Sequence, residues 1–203
     1  EKIGGKAKLY ITTLEADPAA LDAALRLPER NGLEIVRALA EEGIYESSAA
    51  RVELMTGDAR DSIRLLSAHY DYVFLDGFTP STNPELWSVD FLSRIRDRMK
   101  SDGLLASYCG AYPFKGALLS LGFHLYESKP FGRRRGGTVA ALDNPPLLPP
   151  IPEKEIRIAT RSTAGTPYRD PLLRWTCEQI LQDRINHVAE LRSAGVPKWY
   201  KGN

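Results

Sequence analysis

The chain has 203 residues, 43% hydrophobic and 26% charged, with a formal net charge of +1. That composition is typical of a folded globular protein and excludes a disordered or collagen-like chain. No apolar run approaches the ~20 residues that span a bilayer, so no membrane association is expected. Cys109 and Cys177 stand far apart without a CxxC partner, which argues against a disulfide framework or a zinc site and makes a reducing cytoplasm the expected location. The near-zero net charge hides an asymmetry: residues 1–90 carry 9 basic and 16 acidic side chains, whereas residues 91–135 carry 9 and 3. A polyanion such as RNA is a plausible partner for the second segment.

In chain order, Lys8–Leu14 reads as a strand with an acidic tip at Glu15, and Pro18 opens a helix running to Leu27. A second helix is predicted over Glu34–Glu42, closed by Gly43. Arg51–Met55 is a strand ending in the turn Thr56-Gly57-Asp58-Ala59, followed by a short helix over Asp61–Ser67. Tyr72–Leu75 is a further strand. Its apolar run Val73-Phe74-Leu75 stops at Asp76-Gly77, which reads as a buried parallel strand with its carboxyl end at a site. The loop above it carries Phe78, Pro80, Asn83, Pro84 and Trp87.

Apolar spacing predicts a helix over Glu85–Lys100, then a strand at Leu104–Tyr108 and a helix at Phe114–Leu121. Phe123–Ser128 and Thr138–Leu142 read as two closing strands, joined by a loop holding Arg133-Arg134-Arg135. Alternation of strand and helix implies an α/β fold: a mostly parallel sheet with crossover helices and an antiparallel edge. Pro145–Pro152 reads as a stiff extended linker, and Asp170–Ser193 as a long helix in a C-terminal tail. The expected organisation is therefore a main domain over 1–144, a linker over 145–152 and an extension over 153–203 packed on the main domain.

Three acids, Glu15, Asp58 and Asp76, end three successive predicted strands. Carboxylates at such strand ends can accept hydrogen bonds from ribose hydroxyls and an adenine amino group. No GxGxxG, HExxH, Gx4GK[ST] or GxSxG pattern occurs, and no spacing points to a metal.

The segments GDA (57–59), FLDGFTPSTNPELW (74–87), DGLLASYCGA (102–111), LGFHLYESKPFGRRRGGTVAAL (121–142) and TPYRDP (166–171) together resemble the MnmC-type methyltransferase domain, a class I, Rossmann-like enzyme family. The resemblance implies S-adenosylmethionine as cofactor. It also implies N-methylation of an aminomethyl group on the wobble uridine of tRNA. Carried onto this sequence, Glu15 holds the ribose and Asp58 the adenine, with Ala59 beside it. Asp76 faces the reacting amine and the cofactor. Phe78, Pro80, Asn83 and Trp87 form the rim where the base enters, Ser107 and Tyr108 line the same pocket, and Phe131 with Arg133, Arg134 and Arg135 meets tRNA phosphates. Members begin with a strand and a glycine-rich loop, and this sequence starts at what corresponds to their second strand. The expectation is that the sequence in hand lacks that N-terminal part. The flavin-dependent oxidase domain of some relatives has no counterpart here, which points to a separate flavin-dependent tRNA-modifying enzyme upstream. Two rival readings remain: a polyamine aminopropyltransferase on the same scaffold, suggested by YDYVFLD (70–76), and a non-catalytic RNA-binding module.

Overall fold

The computed structural model describes residues 7–28, 31–130, 136–143 and 146–200. It divides into two compact units, Glu1–Leu65 and Leu66–Asn203.

The first unit contains β1 (Leu9–Glu15), α1 (Ala19–Leu25), α2 (Leu33–Glu42), β2 (Ile44–Glu46), β3 (Ala50–Thr56) and α3 (Ala59–Leu65). Its sheet has the order β1-β3-β2. β1 and β3 run parallel from Leu9 opposite Ala50 to Glu15 opposite Thr56, so both carboxyl ends finish side by side. The backbone N–H of Gly57 donates to the carbonyl of Glu15 at 2.9 Å and locks the two ends together. Gly57 does this at φ +114°, a conformation that side-chain-bearing residues rarely adopt. β2 pairs antiparallel with β3; its three residues are too few to announce themselves by alternation. Leu39, Val52 and Ile63 form the buried centre of this unit.

The second unit contains β4 (Tyr70–Leu75), a 3-10 turn (Pro84–Trp87), α4 (Val89–Arg96), β5 (Met99–Ser107) and α5 (Tyr112–Ser120). β6 (His124–Glu127), β7 (Thr138–Ala141), α6 (Glu153–Arg161), a second 3-10 turn (Thr163–Gly165) and α7 (Cys177–Ser193) complete it. Its sheet has the order β4-β5-β7-β6, with β4 parallel to β5 and β7 antiparallel to both neighbours. The antiparallel edge expected from two consecutive closing strands is present. Phe91, Leu92, Leu105, Phe114, Leu118, Leu125 and Ile180 fill the core.

Four expectations need correction. β4 is parallel but not buried throughout: it ends the sheet order, Leu75 is covered, and Phe74 is 80% exposed. The single helix expected over Glu85–Lys100 is broken at Ser88, whose extended backbone and Oγ, accepting from the N–H of Phe91, start α4 afresh. Its last residues, from Met99, already belong to β5. The proline-rich segment is extended but is not a free linker. Ile151 N–H donates to the Leu125 carbonyl at 3.0 Å and Glu127 N–H to the Pro149 carbonyl at 2.9 Å, so the segment lies along β6. α7 begins at Cys177 rather than Asp170. Asp170 is fully buried, and its carboxylate accepts from the N–H groups of Arg174 and Trp175, holding residues 170–175 out of the helix. Thr176 and Gln179 then form a reciprocal capping box.

The TPYRDP segment ties the C-terminal extension to α4. Asp90 accepts from Asp170 N–H at 2.7 Å and from Arg169 Nε and Nη2 at 3.0 and 3.1 Å. Burial pushes the Asp90 carboxyl up, but the Arg169 guanidinium and the Asp170 N–H outweigh it and hold it below the usual 3.8. A depressed folded-state pKa adds stability that is present above 3.8 and disappears as pH falls through the lower folded value. Asp90→Asn should therefore lower unfolding free energy by about 1–2 kcal/mol at pH 7. In urea titrations the gap to wild type should narrow steadily below pH 3.8. A gap of undiminished size in acid would remove the charge from this account.

Candidate active site

Both units present acids at the carboxyl ends of parallel strands, where open α/β sheets bind ligands. In the first unit, Glu15 ends β1 and Asp58 follows β3 by two residues. One Glu15 oxygen accepts the N–H of Asp17 at 3.0 Å, leaving further lone pairs for a ligand. Asp58 is engaged more tightly. It accepts from the backbone N–H of Arg60 at 2.8 Å and from Arg60 Nη2 at 2.7 Å and Nε at 3.1 Å. The Arg60 guanidinium holds the Asp58 carboxyl below the usual carboxylate range. Ala59 is the first residue of α3 and follows Asp58 directly in the chain. Sequence reasoning missed Arg60; its signal was a cation two residues after a strand-end acid, at the start of a helix.

These residues fit the nucleoside half of S-adenosylmethionine. Neighbouring carboxylates offer acceptors to a diol and to an exocyclic amine, and the Gly57 bond fixes their strands in register. Glu15, Asp58 and the backbone at Ala59 are the groups that would hold it.

In the second unit, the β4–β5 register sets Leu75 opposite Ser107, which puts Asp76 beside Tyr108 one step further on. Asp76 is exposed. The turn behind it is clamped: Tyr108 Oη donates to the Gly77 carbonyl at 2.6 Å. Gly77 is packed so closely under the loop that a Cβ there would sit 3.0 Å from Leu86 Cδ1 and 3.3 Å from Asn83 Nδ2. Ser107 Oγ accepts the N–H of Cys109 at 3.1 Å and so shapes the next strand end.

Trp87 holds the loop from beneath. Its Nε1–H is shared between the Phe78 carbonyl at 2.9 Å and Asn83 Oδ1 at 3.3 Å. Its indole meets Phe114 edge-on at 5.0 Å and Tyr108 at 6.2 Å. This corrects the expectation that Trp87 forms part of the rim. The side chain is 0% exposed and has no face free for a base. Asn83 is partly withdrawn too, since its oxygen serves Trp87. Phe78 is the opposite case, 75% exposed at the loop's crest, and Pro80 is half-buried near it. Phe131, Arg133, Arg134 and Arg135 lie outside the described residues.

A family of S-adenosyl-L-methionine-dependent methyltransferases matches residues 34–143. The chain belongs to that family. The methyltransferase is also 40% identical over 149 residues to protein MJ0670 of Methanocaldococcus jannaschii, covering 73% of this chain and 42% of that protein. It is 30% identical over 129 residues to the tRNA 5-methylaminomethyl-2-thiouridine biosynthesis bifunctional protein MnmC of Ralstonia nicotianae, covering 60% of this chain and 20% of the relative. The crystal structure of MNMC2 from Aquifex aeolicus superposes with a TM-score of 0.77 at 33% identity, covering 93% of this chain and 61% of that one. The methyltransferase thus spans less than half the length of these two curated relatives. Its cofactor is S-adenosylmethionine, and it is related to the MnmC methyltransferase domain. No helix among the described residues is long and apolar enough to cross a membrane.

Burial separates the two aromatic residues of the loop in a way stability measurements can read. Trp87→Ala should cost about 3–5 kcal/mol by emptying a sealed core position. Phe78→Ala should change unfolding free energy by no more than about 0.5 kcal/mol. Comparable losses in both variants, measured by chemical denaturation, would contradict the assigned packing.

Proposed function

We propose that the methyltransferase N-methylates the aminomethyl group of a wobble uridine in tRNA, giving methylaminomethyl uridine. The observation that carries this reading is the pairing of an exposed carboxylate, Asp76, with an exposed aromatic ring, Phe78, on a turn made rigid by Tyr108 and Trp87. A relative named for 5-methylaminomethyl-2-thiouridine biosynthesis in tRNA supports the same substrate class.

When bound, S-adenosylmethionine supplies an electrophilic methyl group. The chain's own task is to present an amine lone pair to it. An aliphatic ammonium, with a pKa of about 10 in free solution, has no lone pair, so the amine must arrive neutral or shed a proton on the enzyme. Asp76 accepts an N–H of that amine and aims its lone pair. Because the Gly77 carbonyl is tied to Tyr108, the carboxylate's backbone does not need to reorganise when substrate arrives. Phe78 stacks on the uracil ring, a contact worth about 1–3 kcal/mol per base in single-stranded recognition. In the first unit, Glu15, Asp58 and the backbone at Ala59 would hold the nucleoside part of S-adenosylmethionine; in the second, Ser107 and Pro80 would shape the wall around the amine. Phe131, Arg133, Arg134 and Arg135 contribute phosphate contacts within this proposal. A flavin-dependent enzyme acting earlier on the same uridine would provide the amine, and such chemistry belongs in the cytoplasm with the tRNA.

Asp76→Asn keeps the size of the side chain and removes its charge. Turnover on aminomethyl-uridine tRNA should fall roughly 100-fold with the melting temperature unchanged. Near-wild-type turnover with the same pH profile would sink the assigned role. Phe78→Ala should raise KM for tRNA about tenfold, measured by transfer of labelled methyl groups at varied tRNA concentration.

A further inference from the structure

A groove of about 600 Å³ opens within the second unit, at the junction of α5, the 3-10 turn Thr163–Gly165, α7 and the chain after α7. Arg184, Val188 and Arg192 line it from α7 at successive four-residue steps, so they share one helix face. Lys198 and Trp199 close it on one side and Tyr112 on another. Three of these residues are cationic, and none of the residues lining the groove is acidic.

The cations are poorly satisfied by the protein itself. Arg184 donates its Nε–H to the Thr166 carbonyl at 2.7 Å and lies 5.1 Å from the centre of the Tyr168 ring. Burial lowers its pKa, as expected for a guanidinium removed from water without a counter-charge. Among the described residues neither Arg192 nor Lys198 forms an ion pair, and both are exposed. The nearby lysine that could be mistaken for a fourth, Lys115, is consumed by Glu155. Beside the cations, Trp199 is 45% exposed, with its ring held edge-on to Tyr112 at 5.6 Å.

Positive side chains without carboxylate partners, next to an immobilised and accessible indole, make a combination suited to a nucleotide strand. Cations take the phosphates and the ring takes a base. We propose that this groove is a second RNA-contact surface, which holds a nucleotide segment of the tRNA away from the reacting uridine. Trp199 stacks on one base. Arg192 and Lys198 neutralise the adjoining phosphates, and Arg184 anchors the inner end. An acidic protein segment fits the charge but leaves the exposed indole without a stacking partner. The proposal rests on tRNA as the substrate and adds where, beyond the methyl-acceptor site, that substrate is gripped.

The test is equilibrium binding of the intact protein to a purified unmodified tRNA across a potassium chloride series, read by fluorescence anisotropy. Each phosphate contact contributes roughly 0.7–0.9 to the slope of log affinity against log salt. Arg192→Ala with Lys198→Ala should flatten that slope by about 1.4–1.8 and weaken binding at moderate salt about tenfold. Trp199→Ala should weaken binding severalfold with the slope unchanged, because stacking releases no counterions. All three positions are exposed, so the variants should melt as the wild type does. Affinity and slope within error of wild type in both variants overturn the proposal. So does loss of binding to a poly-glutamate peptide without loss of binding to tRNA. Because binding is read without transfer, a protein that grips tRNA through this groove yet methylates no uridine refutes the proposed reaction and leaves the groove standing.

Discussion

The burial of one indole organises the functional end of the second unit. Trp87 sits beneath the loop that follows β4, and its single N–H is divided between the Phe78 carbonyl and Asn83 Oδ1. A loop of this length pays a large conformational cost to be ordered, and its backbone groups must find partners. The indole answers both demands: it gives two loop positions one shared donor, and it fills the space against Phe114 that the loop would otherwise leave empty. Tyr108 fastens the other end of the turn at the Gly77 carbonyl. The Asp76 carboxylate and the Phe78 ring are therefore displayed by a scaffold set from below, to which Phe78 lends only its backbone carbonyl.

The C-terminal extension belongs to the same construction. Arg169 and Asp170 bind Asp90 at the start of α4, and the N–H of Val89 donates to the Tyr168 carbonyl. α4 follows immediately after Trp87 and Ser88, so the extension braces the helix into which the loop feeds. The first residue of α7 reaches the loop as well, Cys177 Sγ lying 3.7 Å from the Thr82 carbonyl. A tail that reads in sequence as an extension packed on the main domain is, in physical terms, the outer wall of the loop's support.

How much of this was legible before the structure follows from the range of the forces involved. Glu15, Asp58 and Asp76 were readable because a parallel strand that ends in an acid declares both its direction and its polar tip locally. The antiparallel closing strands were readable for similar reasons. Trp87 was not: whether an aromatic residue on a loop faces solvent or core depends on Phe114 and Tyr108, distant in sequence. The break at Ser88 was hidden because the apolar spacing runs straight through it, and only the Ser88 cap reveals two elements. The start of α7 is written in the sequence as Thr176-Cys177-Glu178-Gln179, the capping box that the structure forms. What no local signal could supply was that the Asp170 carboxylate captures the N–H groups that would have begun the helix earlier.

The proline-rich segment along β6 has a further effect. Of residues 148–152, the N–H of Leu148 is used by Pro146 and that of Ile151 by Leu125, and Pro149, Pro150 and Pro152 have none to give. The outer side of this segment thus offers a neighbouring chain carbonyls alone. A ladder needs donors and acceptors in alternation, so a foreign strand cannot be templated there. At this margin the sheet ends in a row of rings that cannot be extended, which guards a protein crowded among its own copies against fibrous self-association from that side.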